Sequence, residues 1–152
     1  MESLRIERKD IYTIEVNDKG ETIEFDLLDI ELPFKSDKAF REIAKVESDL
    51  QAKLVIINKQ QDHPLKGTIM TANEEARLKA YKEAFLGMRA AADSFLGEGA
   101  CQKIFGDRNY LEMFTDLAEA LAPHMEKMKL NSDGIRKRIK DKYGKQDDGV
   151  LR

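Results

Sequence analysis

The amino-acid sequence predicts a mainly α protein in which an N-terminal β-hairpin is followed by a bundle of four to five helices. Three observations carry this prediction. Apolar residues alternate near the N-terminus, they recur every three or four positions through most of the remaining chain, and turn or capping residues stand where each pattern stops. We expect one domain over residues 1–145 and a flexible polar tail over residues 146–152.

The predicted hairpin covers residues 11–28. Two period-two runs flank the turn sequence Asn17-Asp18-Lys19-Gly20, which is typical of two antiparallel strands. Gly20 supplies the positive φ that a bulged turn needs. Because a lone hairpin is barely stable in water, we expect it to pack on the helices that follow.

The first two helices are predicted over residues 36–59 and 71–96. Leu32-Pro33-Phe34 interrupts the strand pattern, so Ser36 or Asp37 is expected to cap the first helix. Residues 60–70 have no clear period and contain a proline and a glycine, which predicts a loop. Thr71 and Glu74 have the spacing of a capping box at the start of the second helix.

Three shorter helices are predicted over residues 100–105, 109–129 and 132–143. Gly97 and Gly99 end the preceding helix, and Asn109 with Glu112 forms a second possible cap pair. Pro123 lies inside the 109–129 pattern. Since proline lacks a backbone N–H and clashes with the preceding turn, we expect a kink or a break there.

Composition narrows the function classes. The 152 residues include 26 basic and 29 acidic side chains, and this near balance provides no overall attraction to nucleic acid or anionic membrane. The longest aliphatic run, Leu54-Val55-Ile56-Ile57, is far shorter than the roughly 20 apolar residues of a membrane span. A single cysteine forms no internal disulfide, and no signal peptide is visible, so we expect a cytoplasmic protein.

The residues that usually carry catalysis or metal binding do not form a recognisable pattern. His63 and His124 are interpreted as surface residues, and Cys101 as a half-buried structural residue. Gly97-Glu98-Gly99 follows a predicted helix, and Gln102 occupies the position of the third glycine of the dinucleotide-binding fingerprint. We therefore expect no enzyme activity, no cofactor and no metal.

One strongly basic segment lies near the C-terminus, where Arg136, Lys137, Arg138 and Lys140 cluster. Apolar residues occur in the same segment at four-residue steps, which predicts an amphipathic helix with a basic solvent face. A partner with an acidic surface and contact with phosphates are the further interpretations.

Within the stretch from Phe85 to Tyr143, one predicted helix ends in the segment Phe95-Leu96-Gly97-Glu98-Gly99-Ala100-Cys101-Gln102-Lys103-Ile104-Phe105-Gly106, and another helix and a basic end follow. This stretch resembles the tail assembly chaperones of siphophages that infect Gram-positive bacteria. In that family a helix ends in a segment of the type F-G-E-G-T-x-x-K-I/V-F-G, followed by another helix and a basic C-terminus. The strand sequence Ile23-Glu24-Phe25-Asp26-Leu27 also resembles the F-x-F-D-L strand near the family's N-terminus.

The resemblance implies a protein of the host bacterial cytoplasm that binds the phage tape measure protein, keeps it soluble during tail assembly, and is absent from the virion. A longer frameshifted form would recruit the tail tube protein, and self-association stays open. We expect apolar helix surfaces to form the core and to leave part exposed for the client. The candidate partner-binding residues are Tyr81, Phe85, Met88, Phe114, Leu117, Leu121, Met125 and Met128. A helical nucleic-acid-binding protein and a structural head–tail joining protein remain the alternatives.

Overall fold

The computed structural model describes residues 1–130 of the chain. Within these residues the protein is mainly helical, with an N-terminal antiparallel hairpin followed by four helices, as the sequence predicts. The predicted helix 132–143, the basic cluster of Arg136, Lys137, Arg138 and Lys140, and the tail 146–152 lie outside the described residues. None of the helices in residues 1–130 is both long and apolar enough to cross a membrane.

The hairpin is formed by β1 (Ile11–Glu15) and β2 (Thr22–Asp26). Asn17 organises the turn, because its side-chain oxygen accepts the N–H groups of Lys19 (3.0 Å) and Glu21 (3.2 Å). Gly20 has the expected positive φ, 78°. Ile23 and Phe25 of β2 are buried, which confirms the predicted alternation on that strand.

Helix α1 (Leu32–Lys59) begins four residues before the predicted start at residue 36. Pro33 is compatible with this earlier start. The N–H groups in the first turn of a helix have no partner within the helix, so the N–H that proline lacks is not missed, and the fixed φ of proline suits a helix. The expected caps are wrong. Ser36 is a buried residue within the helix, and Asp37 pairs with Arg41 at 3.0 Å one turn later.

Helix α2 (Ala72–Leu96) begins with the predicted capping box. The Thr71 hydroxyl accepts the Glu74 N–H (3.2 Å), and the Glu74 carboxylate accepts the Thr71 N–H (3.1 Å). The loop between the helices is also hydrogen-bonded. An antiparallel bridge joins Pro64 and Thr71 across it, so the segment that lacks a sequence period still has a defined conformation.

Helix α3 (Ala100–Phe105) has the predicted bounds, and helix α4 (Met113–Lys127) is shorter than the predicted 109–129. The predicted cap at Asn109 is wrong, because its side-chain oxygen accepts the Arg89 Nε–H at 2.8 Å instead. We expected a kink or a break at Pro123, and the break is wrong, since α4 continues for four residues beyond it. Pro123 leaves one i−4 carbonyl without its helical donor, and the helix continues without that bond.

Contacts divide the chain into two compact units. Among the described residues, the first contains Met1–Tyr12, Asp26–Pro33 and 110–130, and the second contains Thr13–Phe25 and Phe34–Asn109. In the second unit, the Phe95 ring lies 5.2 Å from that of Phe25 and 6.3 Å from that of Phe40, measured between ring centroids. In the first unit, the Tyr12 hydroxyl and His124 Nδ1 share a hydrogen bond of 2.8 Å.

Candidate functional site

The corner between α2 and α3 explains the glycines of the segment from Gly97 to Gly106. Gly97, Gly99 and Gly106 all have positive φ, at 112°, 73° and 64°. At each of the three, no heavy atom beyond the glycine and its two chain neighbours lies within 4 Å of where a Cβ would stand. These positions therefore need glycine for its backbone conformation and not for space. In this structure the segment that carries the family resemblance comprises the end of α2, a sharp turn, and the whole of α3.

Asp93 supplies the cap that the glycine at the start of α3 lacks. Gly99, the N-cap residue, has no side chain to bond the first amides of the helix. The Asp93 carboxylate, one turn before the end of α2, accepts the backbone N–H of Cys101 at 2.8 Å. The carbonyl of Asp93 also accepts the Gly97 N–H at 2.9 Å. One residue thus ends α2 and caps α3.

Arg89 holds the chain that leaves α3. Its Nη2 donates to the carbonyls of Gly106 (2.9 Å) and Arg108 (2.8 Å), and its guanidinium lies over the Phe105 ring, 5.9 Å from the centroid. With the bond to Asn109, the planar guanidinium of Arg89 donates hydrogen bonds to three acceptors at once. Arg89 is therefore a structural residue of the second unit.

Lys103 joins α3 to the hairpin within the second unit. Its Nζ donates to the Thr22 carbonyl (3.1 Å), and its own carbonyl accepts the side-chain amide of Asn17 (3.0 Å). Lys103, in the Lys-Ile-Phe-Gly part of the segment that carries the family resemblance, thus has a structural role that the sequence did not predict.

Cys101 is fully buried, with 1% of its surface exposed, where the sequence suggested half burial. Burial raises the pKa of the Cys101 thiol to about 12, and the hydrogen bond and charge of Asp93 act in the same direction. The Sγ–H donates to the Arg89 carbonyl at 3.7 Å. Because the thiolate is the nucleophilic form, this cysteine is poorly suited to covalent chemistry.

The two histidines have different surroundings. His63 is exposed in the α1–α2 loop, whereas His124 is half-buried beside Tyr12. Residues 1–130 contain no group of three or more His, Cys, Asp or Glu side chains that could hold a metal ion.

Most of the candidate partner-binding residues are buried. Phe85, Met88, Phe114, Leu117, Leu121 and Met128 each expose 8% of their surface or less, and Tyr81 and Met125 are half-buried. The helical spacing that singled out these residues therefore describes mainly the interior faces of α2 and α4. In this conformation a partner would reach little of their surface.

Exposed apolar residues occur instead at the end of the α1–α2 pair where the connecting loop lies. Val55 and Ile56 near the end of α1 are 52% and 61% exposed, although each is a large aliphatic residue. In the sequence, the feature that indicates these exposed residues is the run Leu54-Val55-Ile56-Ile57. Four consecutive aliphatic residues cannot all face one side of a helix, so some must point away from the buried stripe of Leu50 and Leu54.

A shallow groove lies beside these residues, and we call it the α1–α2 groove. Its volume is about 280 Å³, just below the roughly 300–1,000 Å³ of small-molecule sites. Its lining residues come from the end of α1 and the first half of α2: Lys53, Ile56, Ile57, Ala76, Lys79, Ala80 and Glu83. The size and the apolar floor suit a protruding side chain of another protein better than a cofactor.

The charged rim of the groove is paired. Lys53 Nζ lies 3.4 Å from a carboxylate oxygen of Glu83, and Lys79 Nζ lies 2.6 Å from one of Glu75. Ion pairs this exposed contribute little to folding stability, but they keep charge beside an apolar surface. The charged residues that line the groove are Lys53, Lys79 and Glu83, and Glu75 beside Lys79 adds a second carboxylate.

No protein-family model, curated protein or solved structure matches this chain.

Proposed function

We propose that the protein is a phage tail assembly chaperone, which binds and solubilises the tape measure protein while the tail is built and is absent from the mature virion. The observation that supports a binding role is the α1–α2 groove, which the exposed Ile56 lines, together with the exposed Val55 that precedes Ile56 in the chain. The segment from Gly97 to Gly106 supports the choice of client, through its resemblance to this family.

The groove suits transient binding of an apolar helix. Ala76 and Ala80 leave room on the floor for a side chain of the client, and Ile56 and Ile57 offer apolar contact. Burying one large aliphatic side chain contributes about 1.5–3 kcal/mol, so a single groove would hold its client weakly. Many copies along an extended client would together cover its apolar stripe, and each would leave readily as tube subunits arrive.

The proposal assigns no bond making or breaking to this chain and places it in the host bacterial cytoplasm. Its partners are the tape measure protein and, through a longer frameshifted form, the tail tube protein. Most residues whose helical spacing predicts client binding are buried, so we assign client binding to the α1–α2 groove and its exposed aliphatic residue Ile56.

Co-expression tests the proposal. A tape measure fragment should stay in the soluble fraction with this chain and precipitate without it. Ile56→Ser should reduce the rescued fraction, whereas Leu86→Ser should not, because Leu86 is equally exposed (62% against 61%) but does not line the groove. Equal precipitation with and without the chain would contradict the chaperone function. Equal rescue by wild type and Ile56→Ser would contradict the use of the groove.

A further inference from the structure

The loop between α1 and α2 presents one fully exposed aliphatic residue, Ile69, whose relative exposure is 102%. Single exposed apolar residues are common on protein surfaces. Ile69 differs because it lies at the same end of the helix pair as Val55, Ile56 and the α1–α2 groove. At this end Arg77 Nη1 of α2 donates to Asn58 Oδ1 of α1 at 3.0 Å. The protruding Ile69 and the groove therefore both lie at the loop end of the α1–α2 pair, within the second unit.

Hydrogen bonds hold the loop around Ile69 in its outward conformation. The Leu65 N–H donates to the Met70 carbonyl (3.1 Å), and the Thr68 N–H donates to the Leu65 carbonyl (3.2 Å). The Thr68 hydroxyl adds a contact to the Leu65 carbonyl at 3.0 Å. Gly67, with φ of 79°, allows the turn. Because these bonds already order the backbone, a partner that covers Ile69 would meet a smaller entropic cost.

The base of the loop is fixed to the start of α2. The Asp62 carboxylate accepts the backbone N–H of Asn73 at 3.0 Å, and this bond lowers the pKa of Asp62. The buried Asn73 side chain donates to the Gln60 carbonyl at 3.0 Å. The loop therefore does not need to refold before Ile69 can meet a partner.

We propose that a second copy of this chain covers the α1–α2 groove in a two-fold symmetric dimer, in which Ile69 of each copy enters the groove of the other. A two-fold contact uses the same surface patch on both subunits and so requires a self-complementary patch. This surface meets that requirement both in shape and in charge. It carries both a protruding aliphatic residue and an apolar groove, and its rim carries the pairs Lys53–Glu83 and Lys79–Glu75, so each lysine can face a carboxylate of the other copy.

Balanced rim charge also favours a second copy over a partner of strongly one sign, which would meet as much repulsion as attraction. The closed pairing would cover the exposed aliphatic surface while no client is bound, and client and second copy would compete for the groove. Dimerisation is measured on the chain alone, so its failure is distinguishable from failure of the chaperone function.

Sedimentation equilibrium on the full chain tests the dimer. Wild type should show a reversible monomer–dimer equilibrium, and Ile69→Ser should raise the dimer Kd by at least about a hundredfold, because the symmetric contact loses one buried aliphatic side chain from each copy. Ile56→Ser should act in the same direction. Leu86→Ser, the control of matched exposure outside the groove, should leave Kd unchanged, and circular dichroism should show all variants folded. A monomer at every concentration up to about 1 mM would overturn the proposal, as would a dimer that neither groove variant weakens.

Cross-linking tests which surfaces meet. Ile69→Cys and Lys79→Cys proteins, one of them isotopically labelled, are mixed and oxidised with copper phenanthroline, then digested for mass spectrometry. Buried Cys101 should not compete for the oxidant. A disulfide between position 69 of one protein and position 79 of the other is expected. Its absence, or equal linking when Leu86→Cys replaces Lys79→Cys, would overturn the proposed contact.

Discussion

Replacing Asp93 with alanine removes the acceptor that caps α3. The Asp93 carboxylate bonds the Cys101 N–H at 2.8 Å, and Gly99 at the N-cap position has no side chain that would replace it. Loss of a side-chain cap costs about 0.5–2 kcal/mol, and a hydrogen bond to a charged group contributes about 1.5–3 kcal/mol. Since Asp93 is partly exposed, we expect Asp93→Ala to lower the free energy of unfolding by about 1–2 kcal/mol.

Urea denaturation followed by circular dichroism measures this loss, with Asp93→Asn as the matched control. Asparagine keeps a side-chain oxygen in place, so we expect it to recover more than half of the stability lost in Asp93→Ala. It also removes the negative charge that raises the pKa of Cys101, so the native thiol should titrate at lower pH than in wild type. If the asparagine and alanine variants lose the same stability, or if neither loses any, the capping role assigned to Asp93 is wrong.

Three further predictions concern the same unit. Gly87→Ala should stabilise the protein by about 0.5–1 kcal/mol, because Gly87 is inside α2 and an added Cβ would lie in ordinary contact with Val46 at 3.5 Å. Gly97→Ala should destabilise it by about 1–3 kcal/mol, because its φ of 112° strains any other residue. Thermal melts measure both variants, and equal shifts in Tm would contradict both predictions. The thiol of Cys101 has a pKa raised from 9.0 to about 12 by burial, so above pH 9 the unfolded chain loses its proton first. The free energy of unfolding should therefore fall above pH 9, by up to ~1.4 kcal/mol per pH unit, and Cys101→Ala should not show this fall. Parallel profiles of unfolding free energy against pH for the two proteins would refute this reasoning.

Elements with local signals could be predicted from the sequence. The capping box places both of its partners within three residues, and it correctly placed the start of α2 at Thr71. The glycines around α3 require positive φ whatever surrounds them, so the bounds 100–105 were also correct. The hairpin followed from alternation on both sides of a turn that needs only Asn17 and Gly20. In each case the physical cause lies within a few residues of the element.

The errors have long-range causes. Asn109 has the composition of a helix cap, but Arg89, twenty positions earlier, binds its side chain. Ser36 was an acceptable cap by composition, yet the structure buries it inside α1. The helix through Pro123 continues although the local rule favours a break. Local preferences of about 1 kcal/mol for a helix cap and about 3 kcal/mol for a proline inside a helix are outweighed by tertiary packing when the two disagree.

The sequence by itself determined which segments are helices and strands, because backbone hydrogen bonding, capping and glycine conformation act over a few neighbouring residues. It did not determine which apolar residues are exposed. Met88 and Met125 both lie at helical spacing, yet Met88 is buried and Met125 is only half-buried. Only the tertiary structure decided this, because the face that a helix buries depends on which other helix packs against it, and those contacts join residues far apart in the chain.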